Sequence, residues 1–357
     1  MIIPLLKNHA GNSKLLLVTL FIFYITSILF SQSVDSVKKK ETSFKLMFYN
    51  VENYFDSFDD SLTNDNEFLP QGLRNWNYTR FLKKRNNIYK TIMAVGGTEP
   101  PAIIGLCEIE NRFVLKQLVY DSPFAKFDYR IIHEESPDAR GIDVAMLYNP
   151  KVFNVIDHEA IAINFPQSPE SKTRDILYVK GLVHNEDTMH VFVNHWPSRY
   201  GGELSSEPRR IYVAKQLALA IDQIYKKNRN AAIVVMGDFN DNPTDKSIKD
   251  ELNAGKIAVE NRLINLMPVS KDNKLGTHKY EGAWGMLDQI MISHALLSGE
   301  LPIFVKEEVK IFNADYLLQD DEKYLGKMPF RSFIGMKYTG GFSDHLPISI
   351  KIIKKND

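Results

Sequence analysis

The sequence predicts a mixed α/β sandwich, two β-sheets packed face to face with helices outside. Three observations lead there. Short apolar, β-branched runs alternate with helical patterns, as where Ala102 to Cys107 is followed by Asn111 to Val119. Two successive strands, Ile176 to Val183 and Met189 to Val193, are joined by His184 to Thr188, a hairpin turn by composition. Hairpin pairs make the sheets mixed rather than purely parallel. Finally, the 357 residues are 44% hydrophobic and 25% charged, ordinary values for a chain with a packed core.

The same arithmetic excludes several classes. The 44 basic and 44 acidic residues balance, so the whole molecule exerts no attraction on nucleic acid or anionic lipid. Binding of a polyanion has to come from a local site. Disorder needs low hydrophobicity and high net charge, and neither is present. The single cysteine, Cys107, rules out intramolecular disulfides and a CxxC zinc site.

The elements follow in order. Leu15 to Phe30 is an uncharged, almost wholly apolar run of 16 residues, preceded by Lys7 and Lys14 and followed by Ser31, Gln32 and Ser33. This describes a signal peptide over residues 1–33 and an exported protein, periplasmic or extracellular. A retained N-terminal membrane anchor is the alternative, although the run is short for a spanning helix. Residues 34–43 form a polar tether containing Lys38, Lys39 and Lys40, and residues 44–357 form one large domain.

Phe44 to Tyr49 reads as a strand. Thr79 to Val95 has helical spacing through Phe81, Ile88 and Ile92, and stops at Gly96-Gly97. After the strand and helix named above, Tyr129 to Ile132 and Ile142 to Tyr148 read as strands, then the hairpin. Pro208 to Lys227 is the longest helix, with Ser205 or Ser206 as N-cap. Ala231 to Met236, Leu287 to Ile292 and Leu346 to Ile353 are late strands. Linker-like breaks sit at Phe165 to Lys172 and Lys271 to His278, without the character of domain boundaries.

The chemical signal is where polar residues sit: at the ends of apolar strands, where ligands bind in α/β folds. FKLMFYNVENYFD places Asn50 after a strand, and AIIGLCEIEN places Glu108. MHVFVNHWPSRYGGE places Asn194 and His195 at a strand end. AAIVVMGDFNDNP does the same for Asp238 and Asn240. WGMLDQIMIS embeds Asp288 among apolar residues, and GGFSDHLPISI puts Asp344 and His345 just before a strand. Each has a bland reading, since Asn and Asp commonly form turns after strands. Asp288 resists it, because a carboxylate inside an apolar strand needs a partner. Six such coincidences in this order are not independent turns.

On these residues the chain resembles the endonuclease/exonuclease/phosphatase superfamily, the fold of deoxyribonuclease I. The opening YNVENYFD, the GDFND segment and the closing SDHLP carry the resemblance together, from about Phe44 to Ile353. It implies a four-layer α/β/β/α sandwich with two mixed sheets, and metal-dependent phosphoester hydrolysis. By the same resemblance Asn50, Glu108 and Asp344 lie at a divalent cation, Mg²⁺ by preference, with Mn²⁺ and Ca²⁺ as alternatives. Asp238 and Asn240 orient or activate the attacking water, and His345 contacts the scissile phosphate. Asp288 polarises that histidine, and His195 is the second histidine of the deoxyribonuclease-like branch.

The physical logic agrees. Mg²⁺ prefers oxygen ligands and offsets charge developing on phosphorus. An aspartate suits proton acceptance from water, and an Asp-paired imidazole favours its protonated form. Strand order makes Glu134 or Glu135 the expected orienting partner of His195. Arg140, in DARGIDVAML, and Arg174, in TRDILYVKG, are expected phosphate contacts. Two long excursions border the site, Ser57 to Asn77 and Asn313 to Gly341. The second interleaves Lys327, Arg331 and Lys337 with aromatics.

The expected function is that of a secreted, metal-dependent phosphodiesterase, an endonuclease on nucleic acid. No obligate protein partner is implied, and a membrane only if the N-terminal segment is retained. A sphingomyelinase-like or other phosphoesterase is the alternative. The inositol 5-phosphatase branch is disfavoured, because Gly285-Met286-Leu287-Asp288-Gln289 lacks its Trp-Cys-Asp-Arg type motif. A binding protein on the same scaffold is the non-catalytic reading. A serine hydrolase is unsupported, as no GxSxG elbow appears.

Overall fold

The structure is a computed structural model, and it describes residues 41–255, 262–267, 275–306 and 308–355. The expected signal peptide, most of the tether and part of the 271–278 break lie outside the described residues. Ser43 to Lys354 forms one structural unit.

Two large sheets carry it. The first contains β1 (Thr42–Tyr54), β2 (Ile103–Ile109), β3 (Arg130–His133) and β4 (Asp143–Tyr148). The second contains β5 (Phe153–Ile161), β6 (Ile176–Val183), β7 (Asp187–His195), β8 (Ala232–Asp238) and β9 (Leu263–Asn265). A small hairpin follows, β10 (His278–Tyr280) with β11 (Ala283–Gly285), and then β12 (Asp288–Ser293) returns to the second sheet. β13 (Ile303–Val305) and β14 (Lys310–Ile311) return to the first. The long excursion forms two more hairpins, β15 (Leu318–Asp320) with β16 (Lys327–Pro329) and β17 (Phe333–Ile334) with β18 (Lys337–Tyr338). β19 (Ile348–Lys354) closes the first sheet.

The first sheet runs β13-β19-β1-β2-β4-β3 with β14 on β19, and the second runs β5-β6-β7-β8-β12-β9. Within them β1 pairs β2 and β7 pairs β8 in parallel, while the hairpin β6–β7 is antiparallel. The sheets are therefore mixed, as the hairpin composition implied.

Strand alternation builds the layers. On β1, Leu46 and Phe48 face the core between the sheets, with Met146, Val191, Val234 and Met236. Met47, Tyr49 and Val51 face outward under α1 (Tyr78–Gly96) and α2 (Arg112–Val119), against Phe81, Ile88, Ile92 and Leu115. Under α3 (Glu203–Lys227), Val213, Leu217 and Ile221 cover Phe192, Ile233 and Val235 of the second sheet. A short α4 (His294–Ser298) follows β12. Strands buried on both faces explain the continuous apolar runs in the sequence.

Several boundaries differ from expectation. β1 runs past Tyr49 to Tyr54, so Asn50 lies within the strand rather than after it. α3 begins at Glu203, with Gly202 at the cap position and Pro208 inside the helix. The Ser205 and Ser206 hydroxyls do not cap. They donate back to the Gly202 carbonyl at 2.9 and 2.8 Å. Proline so near the start removes only one helical hydrogen bond. β7 continues past Val193 to His195, because its parallel ladder with β8 continues to the pair His195–Asp238. The polar edge strand β5 was not predicted, since most of its side chains are exposed and show no apolar alternation.

Away from the site, His190 stacks on Tyr178 and accepts its hydroxyl at 2.7 Å. Burial, aided by Lys180 and Lys227, holds this imidazole down to about 4. The unfolded chain takes up a proton near pH 6.5 and the folded chain does not. Stability is therefore full above pH 6.5 and falls as pH drops towards 4, by on the order of 1–2 kcal/mol after screening. In thermal melts against pH, His190→Gln should remove that portion of the acid sensitivity.

Candidate active site

The parallel pairs β1–β2 and β7–β8 bring their C-terminal ends to one edge of the sandwich. Gly237 permits the close approach of β7 and β8 there. A Cβ at that position would sit 2.5 Å from the Asn194 carbonyl oxygen, pushing His195 away from Asp238.

Asp238 is central and buried. Its Oδ1 accepts the Asn240 backbone N–H at 2.9 Å, and its Oδ2 accepts from Asn50 Nδ2 at 3.0 Å. The Nε2 atoms of His195 and His345 each lie 3.7 Å from that Oδ2. Asp288 is opposite Asp238 in the β8–β12 register. Its Oδ2 meets His345 Nδ1 at 2.6 Å, which is the partner this buried carboxylate required. Its Oδ1 is buried without a partner among the described residues.

The two histidines are held in opposite states. Burial disfavours charge on His345, but Asp288 and Asp238 overcome it and raise its pKa well above the usual value. Burial lowers His195 well below the usual value, helped by Arg174, Arg140 and His345. At neutral pH the site therefore presents one imidazolium and one neutral imidazole to the same carboxylate oxygen of Asp238. Burial also raises the Asp238 carboxyl, against the pull of His345.

Glu108 occupies a bulge between β2 and its neighbours, with φ at +61°, a backbone conformation that carries strain for a side-chain-bearing residue. Its Oε2 accepts the Asn53 N–H at 2.8 Å, and its Oε1 lies 3.3 Å from Asn50 Nδ2. Asn50 was expected as an oxygen ligand. The structure turns its nitrogen to Glu108 and Asp238, because its oxygen accepts the Glu52 N–H at 3.0 Å. Asp344 pairs with Arg331 at 3.0 Å. Burial opposes its ionisation, yet Arg331, with His345, His278 and Lys84, holds it down to about 2.

Two other expectations are corrected. Neither Glu134 nor Glu135 orients His195. Glu134 lies 3.1 Å from His158, Glu135 faces His133 at 3.8 Å, and His195 Nδ1 has no partner among the described residues. Arg174 is not placed to take a phosphate. Its side chain is 5% exposed, pairs with Asp138 at 3.0 Å and donates to the carbonyls of His195 and Trp196. Arg140 stays available, with its side chain 47% exposed and a longer approach of 3.4 Å to Asp138. Arg174→Ala should thus cost about 3 kcal/mol of stability by stranding Asp138. It should lower kcat through the freed His195 carbonyl while leaving KM near its original value. Arg140→Ala should raise KM instead, and steady-state kinetics with thermal melts separate the two.

Several site residues carried no clear sequence signal. Glu52 is buried, with φ at +53°, and accepts the Ser332 N–H at 2.6 Å. Lys84 lies 3.6 Å from it and Arg331 3.4 Å. Lys84 sits on the buried face of α1, where helical spacing predicts an apolar residue. Asp241, inside GDFND, is bound by Arg210 at 2.7 Å and Arg199 at 3.2 Å, and the Arg199 Nε also donates to the Asn240 carbonyl. These bonds fix the loop that follows Asp238.

The donor chemistry fits a hard divalent cation. Carboxylates outnumber their cationic partners here: Glu52, Glu108, Asp238, Asp288 and Asp344 face Lys84, Arg331 and the His345 imidazolium. Asp238 and Asp288 cluster with His345, their ligand-type atoms within 4.8 Å of one another, but the His345 imidazolium has no lone pair for a cation, so the carboxylate oxygens are the donors that remain. Glu108 and Asp344 each offer oxygens of the type Mg²⁺ or Ca²⁺ binds.

A two-sheet sandwich whose strand ends gather acids around one charged and one neutral histidine has the groups of a phosphoester hydrolase. The chain belongs to the endonuclease/exonuclease/phosphatase family, whose model matches residues 45–354. Solved structures share the fold. One is an endonuclease/exonuclease/phosphatase family protein from Bacteroides thetaiotaomicron, at 13% identity and TM-score 0.54, covering 89% of this chain and 100% of that one. Another is Danio rerio TDP2 humanized by 14 mutations, at 14% identity and TM-score 0.53, covering 87% and 98%. The human Nocturnin catalytic domain with bound sulfate anion matches at 14% identity and TM-score 0.51, covering 88% and 98%. No curated protein sequence matches the chain.

Proposed function

We propose that this hydrolase is an exported, Mg²⁺-dependent phosphodiesterase acting on nucleic acid. The observation that carries the reading is Asp238 buried between His195 and His345, both at 3.7 Å. A bound cation supplies charge for the developing phosphorane and a more acidic water. Glu108 and Asp344 would hold it. The chain's own groups do the rest. Asp238, raised by burial, accepts a proton from the attacking water, with Asn240 fixed beside it by its bond to the Trp196 carbonyl at 3.0 Å. The His345 imidazolium, aligned by Asp288, donates to a phosphoryl oxygen. His195, neutral at rest with its Nε2 3.7 Å from Asp238 Oδ2, takes up the proton that Asp238 accepts from water and passes it to the leaving oxygen. Exposed Arg140 meets a flanking phosphate.

Export is supported by the basic, apolar and small-residue pattern of residues 1–33. The test is purified protein with Mg²⁺, Mn²⁺ or Ca²⁺ on DNA, RNA, sphingomyelin, inositol phosphates and bis(p-nitrophenyl) phosphate. Cleavage of DNA or RNA is expected, and cleavage of sphingomyelin alone would replace this reading with the lipid one.

A further inference from the structure

His278 on β10 has no part in the steps above, yet it touches the centre of the site. Its ring centroid lies 4.6 Å from that of His345, with the planes at 35°. Its backbone forms a β-bridge with His345. Next to it, the Thr277 carbonyl accepts the Leu346 N–H at 2.7 Å, and the Thr277 hydroxyl accepts the Asp288 N–H at 3.1 Å. Residues 277 and 278 thus hold both members of the Asp288–His345 pair from one side.

His345 needs such a holder. Its ring is fixed by one hydrogen bond, at Nδ1, and the last torsion of a histidine is intrinsically broad. Rotation about that bond swings Nε2, the atom that faces Asp238. A flat ring packed against the imidazole, with its centroid 4.6 Å away, blocks the rotation. We propose that His278 is a positioning residue, whose tilted ring packs against His345 and fixes the direction in which its Nε2 donates. This rests on the reading that His345 acts on the phosphoryl group.

The test compares His278→Ala, His278→Asn and His278→Phe in two measurements. One is kcat and KM on bis(p-nitrophenyl) phosphate with Mg²⁺. The other is the proton resonance of the Asp288–His345 hydrogen bond in the substrate-free protein. His278→Ala and His278→Asn should lower kcat by about 10- to 100-fold, the cost of a misdirected group. KM should change little, and the resonance should broaden. His278→Phe, which keeps a flat ring but no nitrogen, should restore both. Unchanged kcat and resonance in His278→Ala would overturn the proposal. So would a His278→Phe variant as impaired as His278→Ala, because a ring nitrogen would then be what matters. If the Ala variant does not fold, the Phe and Asn variants decide between them. If the unaltered protein cleaves no diester, the proposed function fails, and the resonance still reads the role of His278.

Discussion

Asp238→Asn is expected to lower kcat by about a thousandfold or more, the largest single effect in this protein. A general base contributes roughly 10²–10⁴ in rate, and the substitution removes more than basicity. The Asn50 amide nitrogen, 3.0 Å from Asp238 Oδ2, would face another amide nitrogen. The charge that helps keep His345 protonated would also be lost. The fold should survive, because Oδ1 can still accept the Asn240 N–H. Steady-state kinetics and thermal melts together check this. A variant retaining a tenth of the original kcat would remove Asp238 from the chemistry.

Asp288→Asn should follow, with a loss of about 10²–10³ in kcat and a changed pH profile. Burial disfavours the imidazolium of His345, and the adjacent Asp288 carboxylate is the first group that restores it. Without that anion the folded pKa of His345 falls. Activity that needs the imidazolium is lost on raising pH, so the alkaline limb of kcat/KM should move to lower pH. Stability follows the same linkage. His345, raised above its unfolded value near 6.5, contributes fully below that pH and loses the contribution as pH rises through the folded value. The pH dependence of Asp288→Asn melts should be flatter above pH 6.5. An unmoved alkaline limb would show that His345 is not the titrating group.

Much of the site was legible in the chain. Glu108, His195, Asp238 and Asp288 stand at strand ends or starts, because an apolar run followed by a polar residue is a local pattern, whereas Asn50 lies inside β1, which runs on to Tyr54. Asp288 was the most informative, since burial inside a strand demanded a partner and His345 is that partner. The helices expected over Thr79 to Val95 and Asn111 to Val119 were equally visible and form as Tyr78–Gly96 and Arg112–Val119. The start of α3 was misread because Pro208 suggested a first-turn position, although Gly202 ends the preceding loop. Arg174 looked like a phosphate ligand because an arginine before a strand looks the same whether buried or exposed.

The sequence by itself determined the layers, the strand ends and the types of residue gathered there, because strand and helix periodicities are short-range. Only the tertiary structure decided which atom faces which. Asn50 and Asp238 are 188 residues apart and Glu52 and Ser332 are 280 apart, so no local pattern links them. Folding turned the Asn50 nitrogen inward, committed Arg174 to Asp138, left His195 without either glutamate and laid His278 on His345. It also set the charge states of the two histidines. Each of these depends on burial and on neighbours brought from distant segments, and burial decides whether a charge is kept or shed.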